Sequence, residues 1–114
     1  MEAFGKAVLL RIYTDENALS GDQSLVEIIV ARARKAQLAG VTVLRASKGF
    51  GQSAHLHERR PFGFDDNLPV VVESVDDEPK LLAFLATLED LDEIGLVTME
   101  KVEVLRYGGR QHHG

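Results

Sequence analysis

Apolar and polar residues first alternate over residues 6–13. Val8, Leu10 and Ile12 share one parity and Ala7, Leu9 and Arg11 the other, which is the period of a β-strand. Residues 14–22 are polar and rich in turn formers, including Asp15, Asn17, Ser20, Gly21 and Asp22, and read as a loop. At Ser24 the period changes. Ser24-Leu25-Val26-Glu27 matches a capping box, and Leu25, Ile28, Ile29, Ala33 and Ala36 recur at helical spacing. Arg32, Arg34 and Lys35 suit the negative end of the helix dipole, and Gly40 is the expected stop. Residues 41–46 form a second strand, and residues 68–75, opened by Leu68-Pro69, a third. Asp76, Asp77 and Glu78 supply cap and dipole charge to a second helix with Pro79 in its first turn and Leu81, Phe84, Leu85 and Leu88 on its apolar face. Asp90, Asp92 and Glu93 mark a loop, and Gly95 opens a last strand running to about Arg106. In that strand Val97 and Met99 lie on one parity and Val102 and Val104 on the other, so a bulge near Glu100 or Lys101 is expected to restore a common buried face.

The order β-α-β-β-α-β predicts an α+β, ferredoxin-like sandwich: a four-stranded antiparallel sheet with both helices on one face. One domain over residues 1–107 is expected, with a flexible tail at 108–114. The strands carry apolar residues on both parities, such as Leu9 beside Leu10 and Val70-Val71-Val72. The face away from the helices is therefore expected to be buried against other subunits.

Composition narrows the function. With 114 residues the chain builds only a modest core, which also favours assembly. The absence of cysteine excludes disulfides, thiolate metal sites and thiol catalysis, and fits a reducing cytosol. The apolar run at residues 7–10 is too short for a secretory signal or a membrane span, so a cytoplasmic protein with no membrane insertion is expected. A net charge of −5 argues against nucleic-acid binding.

Apolar periodicity fails between residues 47 and 66, and a stretch of about 20 such residues inside a small domain is usually a functional loop. Lys48, Arg59 and Arg60 stand there against Glu58 alone, and Gly49 and Gly51 permit close backbone approach, a composition suited to an anion. Gly49-Phe50-Gly51-Gln52-Ser53-Ala54 satisfies the dinucleotide pattern, but Pro61 and Gly63 follow where that pattern requires a helix. His55-x-His57 puts two imidazoles on one side of an extended segment, a spacing that can bind zinc or copper but needs a third ligand. Ser47, Ser53 and the histidines cannot be assembled into a catalytic triad from the sequence alone. The carboxylate clusters are explained by caps and solubility.

The run Lys48-Gly49-Phe50-Gly51-Gln52 at the end of the second strand resembles the start of the T-loop in PII signal-transduction proteins. Over nearly its whole length the chain is similar to a PII-like family known as domain of unknown function 190. That pattern is carried by Leu44-Arg45, Gly49-Phe50-Gly51, His57 and Leu68-Pro69 in order. The resemblance implies a homotrimeric, non-enzymatic regulatory protein that senses an adenine nucleotide or other small anion in clefts between subunits. Its loop at 47–66 would engage a partner, with a membrane transporter as one possible target. The ligand-binding residues so implied are Arg45, Lys48, Gly49, Phe50, Gly51, Gln52, His57 and Arg106. Leu96 and Gly108 stand where PII proteins carry further phosphate-binding cations, which favours a ligand of lower charge than a triphosphate. Two alternatives stay open: a trimeric metal-binding protein using His55 and His57, and a small enzyme on a dimeric ferredoxin-like barrel.

Overall fold

The computed structural model describes residues 5–49 and 67–108. Strand β1 (Gly5–Asp15) is followed by a two-residue ribbon, β2 (Leu19–Ser20) and β3 (Gln23–Ser24), inside the stretch expected to be loop. Gly21, at φ +63°, makes its tight turn. Helix α1 (Leu25–Lys35), β4 (Thr42–Arg45), β5 (Pro69–Asp76), helix α2 (Glu78–Ala86) and β6 (Val97–Val104) complete the order. The four long strands form one sheet in the order β4-β5-β1-β6, antiparallel throughout. This is the α+β, ferredoxin-like arrangement.

The parity of β1 divides the sheet into two faces. Val8, Leu10 and Ile12, with Val70 and Val72 of β5, meet Leu25, Ile29 and Ala33 of α1 and Leu81 and Phe84 of α2 in one core. Both helices therefore cover the same face. Leu88 and Leu91, in the turns after α2, close its end.

Helix α1 begins as the sequence predicts, with Ser24 Oγ accepting from Glu27 N at 3.4 Å. It does not run to Gly40. The chain leaves the helix at Ala36, and Gln37 takes φ +60°. Gln37 N donates to Arg34 O at 3.0 Å and Leu38 N to Ala33 O at 3.2 Å, the paired bonds of a Schellman stop. Leu38 packs against the core, and that apolar contact, rather than a glycine, sets the end of the helix.

The expected bulge in β6 is also absent. Register runs unbroken from Ile12 opposite Val97 to Gly5 opposite Val104. Val97 and Met99 share the helix face with Ile12 and Leu10, while Val102 lies opposite Ala7 on the other face. The two parities of β6 serve different faces, so no extra residue is needed to reconcile them.

The carboxylates read as caps have more specific partners. Asp76 is fully buried and accepts from Ala39 N and Asp77 N, both at 2.8 Å. Asp90 takes both terminal nitrogens of Arg32, at 2.7 and 3.0 Å, and so ties α1 to the turn after α2. No helix among the described residues is long and apolar enough to cross a membrane.

Candidate functional site

The face of the sheet away from the helices carries Leu9, Arg11 and Tyr13 from β1 and Val71, Glu73 and Val75 from β5. Thr42 and Leu44 extend it on β4, and Thr98, Glu100 and Val102 on β6. Most of its apolar members are only partly buried, and Leu44 is 47% exposed. At its centre the Arg11 guanidinium bonds Glu73 through Nε and Glu100 through a terminal nitrogen, each at 2.9 Å. The hydrogen bond to Glu73 is the main cause that raises the Arg11 pKa above its ordinary value; partial desolvation opposes it. The triad leaves one surplus negative charge on an otherwise largely apolar surface.

A cleft of about 680 Å³ opens at one end of this face. Its floor includes Leu9 and the segment from Glu73 to Val75; one wall is the chain from Ala39 to Thr42, the other the chain from Glu103 to Tyr107. Arg106 brings a cation and Tyr107 an aromatic ring to its rim. Glu73 on the floor is neutralised by Arg11, and Glu103 adds a carboxylate to the wall, so a small, partly flat anion would have to lie on Leu9 and Val75 with its charge at the Arg106 end.

Of the residues expected at a ligand site, Arg106 alone among those described lines this cleft. Arg45 ends β4 and pairs with Glu16 at 3.1 Å; it lines a separate hollow with Val26, Glu27, Val30 and Val43 beside α1. Lys48 and Gly49 are exposed just beyond β4. Gly49 holds φ +140°, a conformation that L side chains rarely adopt, and a Cβ there would lie 3.6 Å from Pro69 Cγ. Phe50, Gly51, Gln52, His55 and His57 lie outside the described residues, as does most of the tail expected at 108–114. Among the described residues no three of His, Cys, Asp and Glu are grouped to hold a metal ion.

Sequence reasoning missed the wall at residues 39–42 and the contribution of Tyr107. It also passed over a usable signal. Ser74 and Asp76 are polar residues on the parity of β5 that otherwise carries Val70 and Val72, and both are buried. A polar side chain on a buried parity has a partner to satisfy. Here the partners are the backbone of Gly40, 2.6 Å from Ser74 Oγ, and that of Ala39.

This fold, with its long connection between β4 and β5, is that of the PII-like proteins. CPII from Thiomonas intermedia K12, a nitrogen regulatory PII-like protein solved bound to ADP, AMP and acetate, superposes with a TM-score of 0.63 at 15% identity, over 91% of this chain and 93% of that one. A putative PII-like signaling protein from Thermus thermophilus gives 0.63 at 17% identity, over 90% and 93%. The chain belongs to the DUF190 family, an uncharacterized ACR, whose model matches residues 7–104. Two UPF0166 proteins of Aquifex aeolicus (strain VF5) are similar to it. One is 36% identical over 88% of this chain and 94% of its own length, the other 31% identical over 87% and 97%.

Proposed function

We propose that this protein is a PII-like regulator that binds an adenine nucleotide or another small anion and passes that signal to a partner through residues 47–66. Three copies assemble with their open sheet faces inward, and the Arg106 cleft becomes part of a site between neighbouring subunits. Arg106 meets the anionic end of the ligand. Gly49 and Gly51 of a neighbouring copy let backbone N–H groups approach it, Phe50 and Gln52 shape the base of the loop, and Lys48 and His57 add charge and hydrogen bonds; Arg45, paired with Glu16 beside α1, is left out of it. No chemical step is assigned to any residue, and a membrane transporter is one class of partner that fits a regulatory role.

The observation that carries this reading is the cleft itself: a hollow lined by Arg106, Tyr107, Leu9 and Val75, with Glu73 held by Arg11, on a sheet face that is only partly covered. Fold relatives lend support, since CPII was solved with ADP and AMP, and also with bicarbonate. Among the described lining residues Arg106 is the one cation, beside the carboxylates Glu73 and Glu103, which favours a ligand of low charge over a triphosphate.

The test is a thermal-shift and titration series with AMP, ADP, ATP and bicarbonate, with mass measured by light scattering. A ligand that prefers the folded state raises the melting temperature, by an amount that grows with its concentration over Kd. Arg106→Ala should weaken binding of the preferred ligand about tenfold or more, the scale of one charge-assisted hydrogen bond. Unchanged affinity in that variant would remove Arg106 from the site. A folded wild-type protein that responds to none of the four ligands would remove the sensor reading.

A further inference from the structure

The connection between α1 and β4 has empty space on both sides. Toward the open sheet face, Ala39, Gly40 and Val41 line the Arg106 cleft. Toward α1, Gly40 and Val41 line a second hollow of about 210 Å³, together with Val30, Ala33 and Leu38 among others. A Cβ added at Gly40 would meet nothing within 4 Å. Leu38 and Val41 pack on the core, but Ala39 and Gly40 between them have little against them, and such backbone shifts easily unless polar contacts hold it.

Three side chains supply such contacts. Ser74 Oγ donates to Gly40 O at 2.6 Å, and Asp76 Oδ2 accepts from Ala39 N at 2.8 Å. Lys80 Nζ donates to Gln37 O at 2.6 Å and stands 3.7 Å from Asp76 Oδ2. Ser74 and Asp76 are 7% and 0% exposed, on the face of β5 that builds the apolar core. Two core positions are thus given to polar groups, Asp76 reaching Ala39 and Ser74 the next residue, Gly40. Asp76 also accepts from Asp77 N, so the strip is anchored to the start of α2.

We propose that Ser74, Asp76 and Lys80 are positioning residues of the Arg106 cleft, which hold residues 37–40 and so fix the wall at residues 39–42 for the bound anion. The inference rests on reading that cleft as a ligand site. Asp76 and Lys80 lie outside the cleft lining and Ser74 is part of its floor; all three set the width of the cleft through the backbone they hold. Ser74 is the most selective probe, because its hydroxyl reaches the wall at Gly40, whereas Asp76 also serves α2.

The experiment compares full-length wild type with Ser74→Ala, Ser74→Thr and Ile29→Val, using titration with AMP, ADP and bicarbonate and amide hydrogen exchange. Ile29 is buried in the core and lines neither hollow beside the strip, so its shortening serves as the control for lost stability alone. Ser74→Ala is expected to lose at least fivefold in affinity for whichever ligand the wild type binds, and to speed exchange at residues 40–42 about tenfold. Ser74→Thr keeps the hydroxyl and should stay within twofold of wild type, as should Ile29→Val. Wild-type affinity in Ser74→Ala, or an equal loss in Ile29→Val, overturns the positioning role and leaves the cleft reading standing. A wild type that binds none of the three overturns the cleft reading, and this inference with it.

Discussion

Gln37 shows how one residue can hold a conformation for which its type is poorly suited. It sits at φ +60° where α1 stops, and a side chain in that left-handed region costs about 1–2 kcal/mol relative to the right-handed one. The backbone bonds of Gln37 and Leu38, and the packing of Leu38 on the core, outweigh that cost. Lys80 bonds the Gln37 carbonyl, a backbone atom, so this contact survives a change of side chain. Gln37→Gly should therefore stabilise the fold by about 0.5–1 kcal/mol, less than the full strain because glycine gains more freedom on unfolding. A rise of roughly 3–6 °C in melting temperature is the expected reading. No rise would mean that Gln37 is unstrained in solution. Sequence reasoning preferred Gly40 because glycine is the usual residue at such a stop; where the apolar partner of the stop would fall was not visible from residue type alone.

Between elements, the decisive group is Asp76, which joins the end of the α1–β4 connection to the start of α2. Burial alone would raise its pKa, but the N–H groups of Asp77 and Ala39, with Lys80 nearby, outweigh this and hold the carboxyl below its ordinary value. A carboxyl depressed on folding contributes stability that is fully present above its unfolded pKa, about 3.9, and is lost as pH falls through the lower folded value. Asp76→Asn should thus cost about 1–3 kcal/mol near neutral pH, the scale of a buried hydrogen-bonding group left poorly matched. The gap between variant and wild type should hold from pH 7 down to about pH 4 and narrow only as the pH falls further, through the folded value. A gap that stays constant would show that charge plays no part. At this scale much was legible: the alternation of β1, the Ser24 cap and the apolar spacing of both helices all stand where the sequence put them. The straight register of β6 was not, because the reading assumed that every apolar residue of a strand seeks one core. The cleft was only partly legible, since its walls meet through the fold from residues about 60 apart. Arg106 was identified from a resemblance, whereas Ser74 and Asp76 needed the burial of β5 to be known.

For the whole molecule, the open sheet face decides how copies meet. Its apolar residues favour burial, while the surplus charge of the Arg11, Glu73 and Glu100 triad must find a partner or stay near water if that face is covered. Val71 lies on this face, opposite Tyr13 and Leu44, and away from the Arg106 cleft. Val71→Lys should therefore leave the secondary structure intact by circular dichroism while lowering the mass seen by light scattering. An unchanged mass would place the subunit contact elsewhere. The topology has a different consequence for synthesis. The longest strand described, β1, leaves the ribosome before both of its neighbours, β5 and β6, which end at Asp76 and Val104. Translation at about 5–20 residues per second keeps this strand waiting for seconds before either flank is closed. A nascent chain that stalls before residue 97 leaves one side of β1 bare, and an unpaired apolar strand of that length is a template for aggregation.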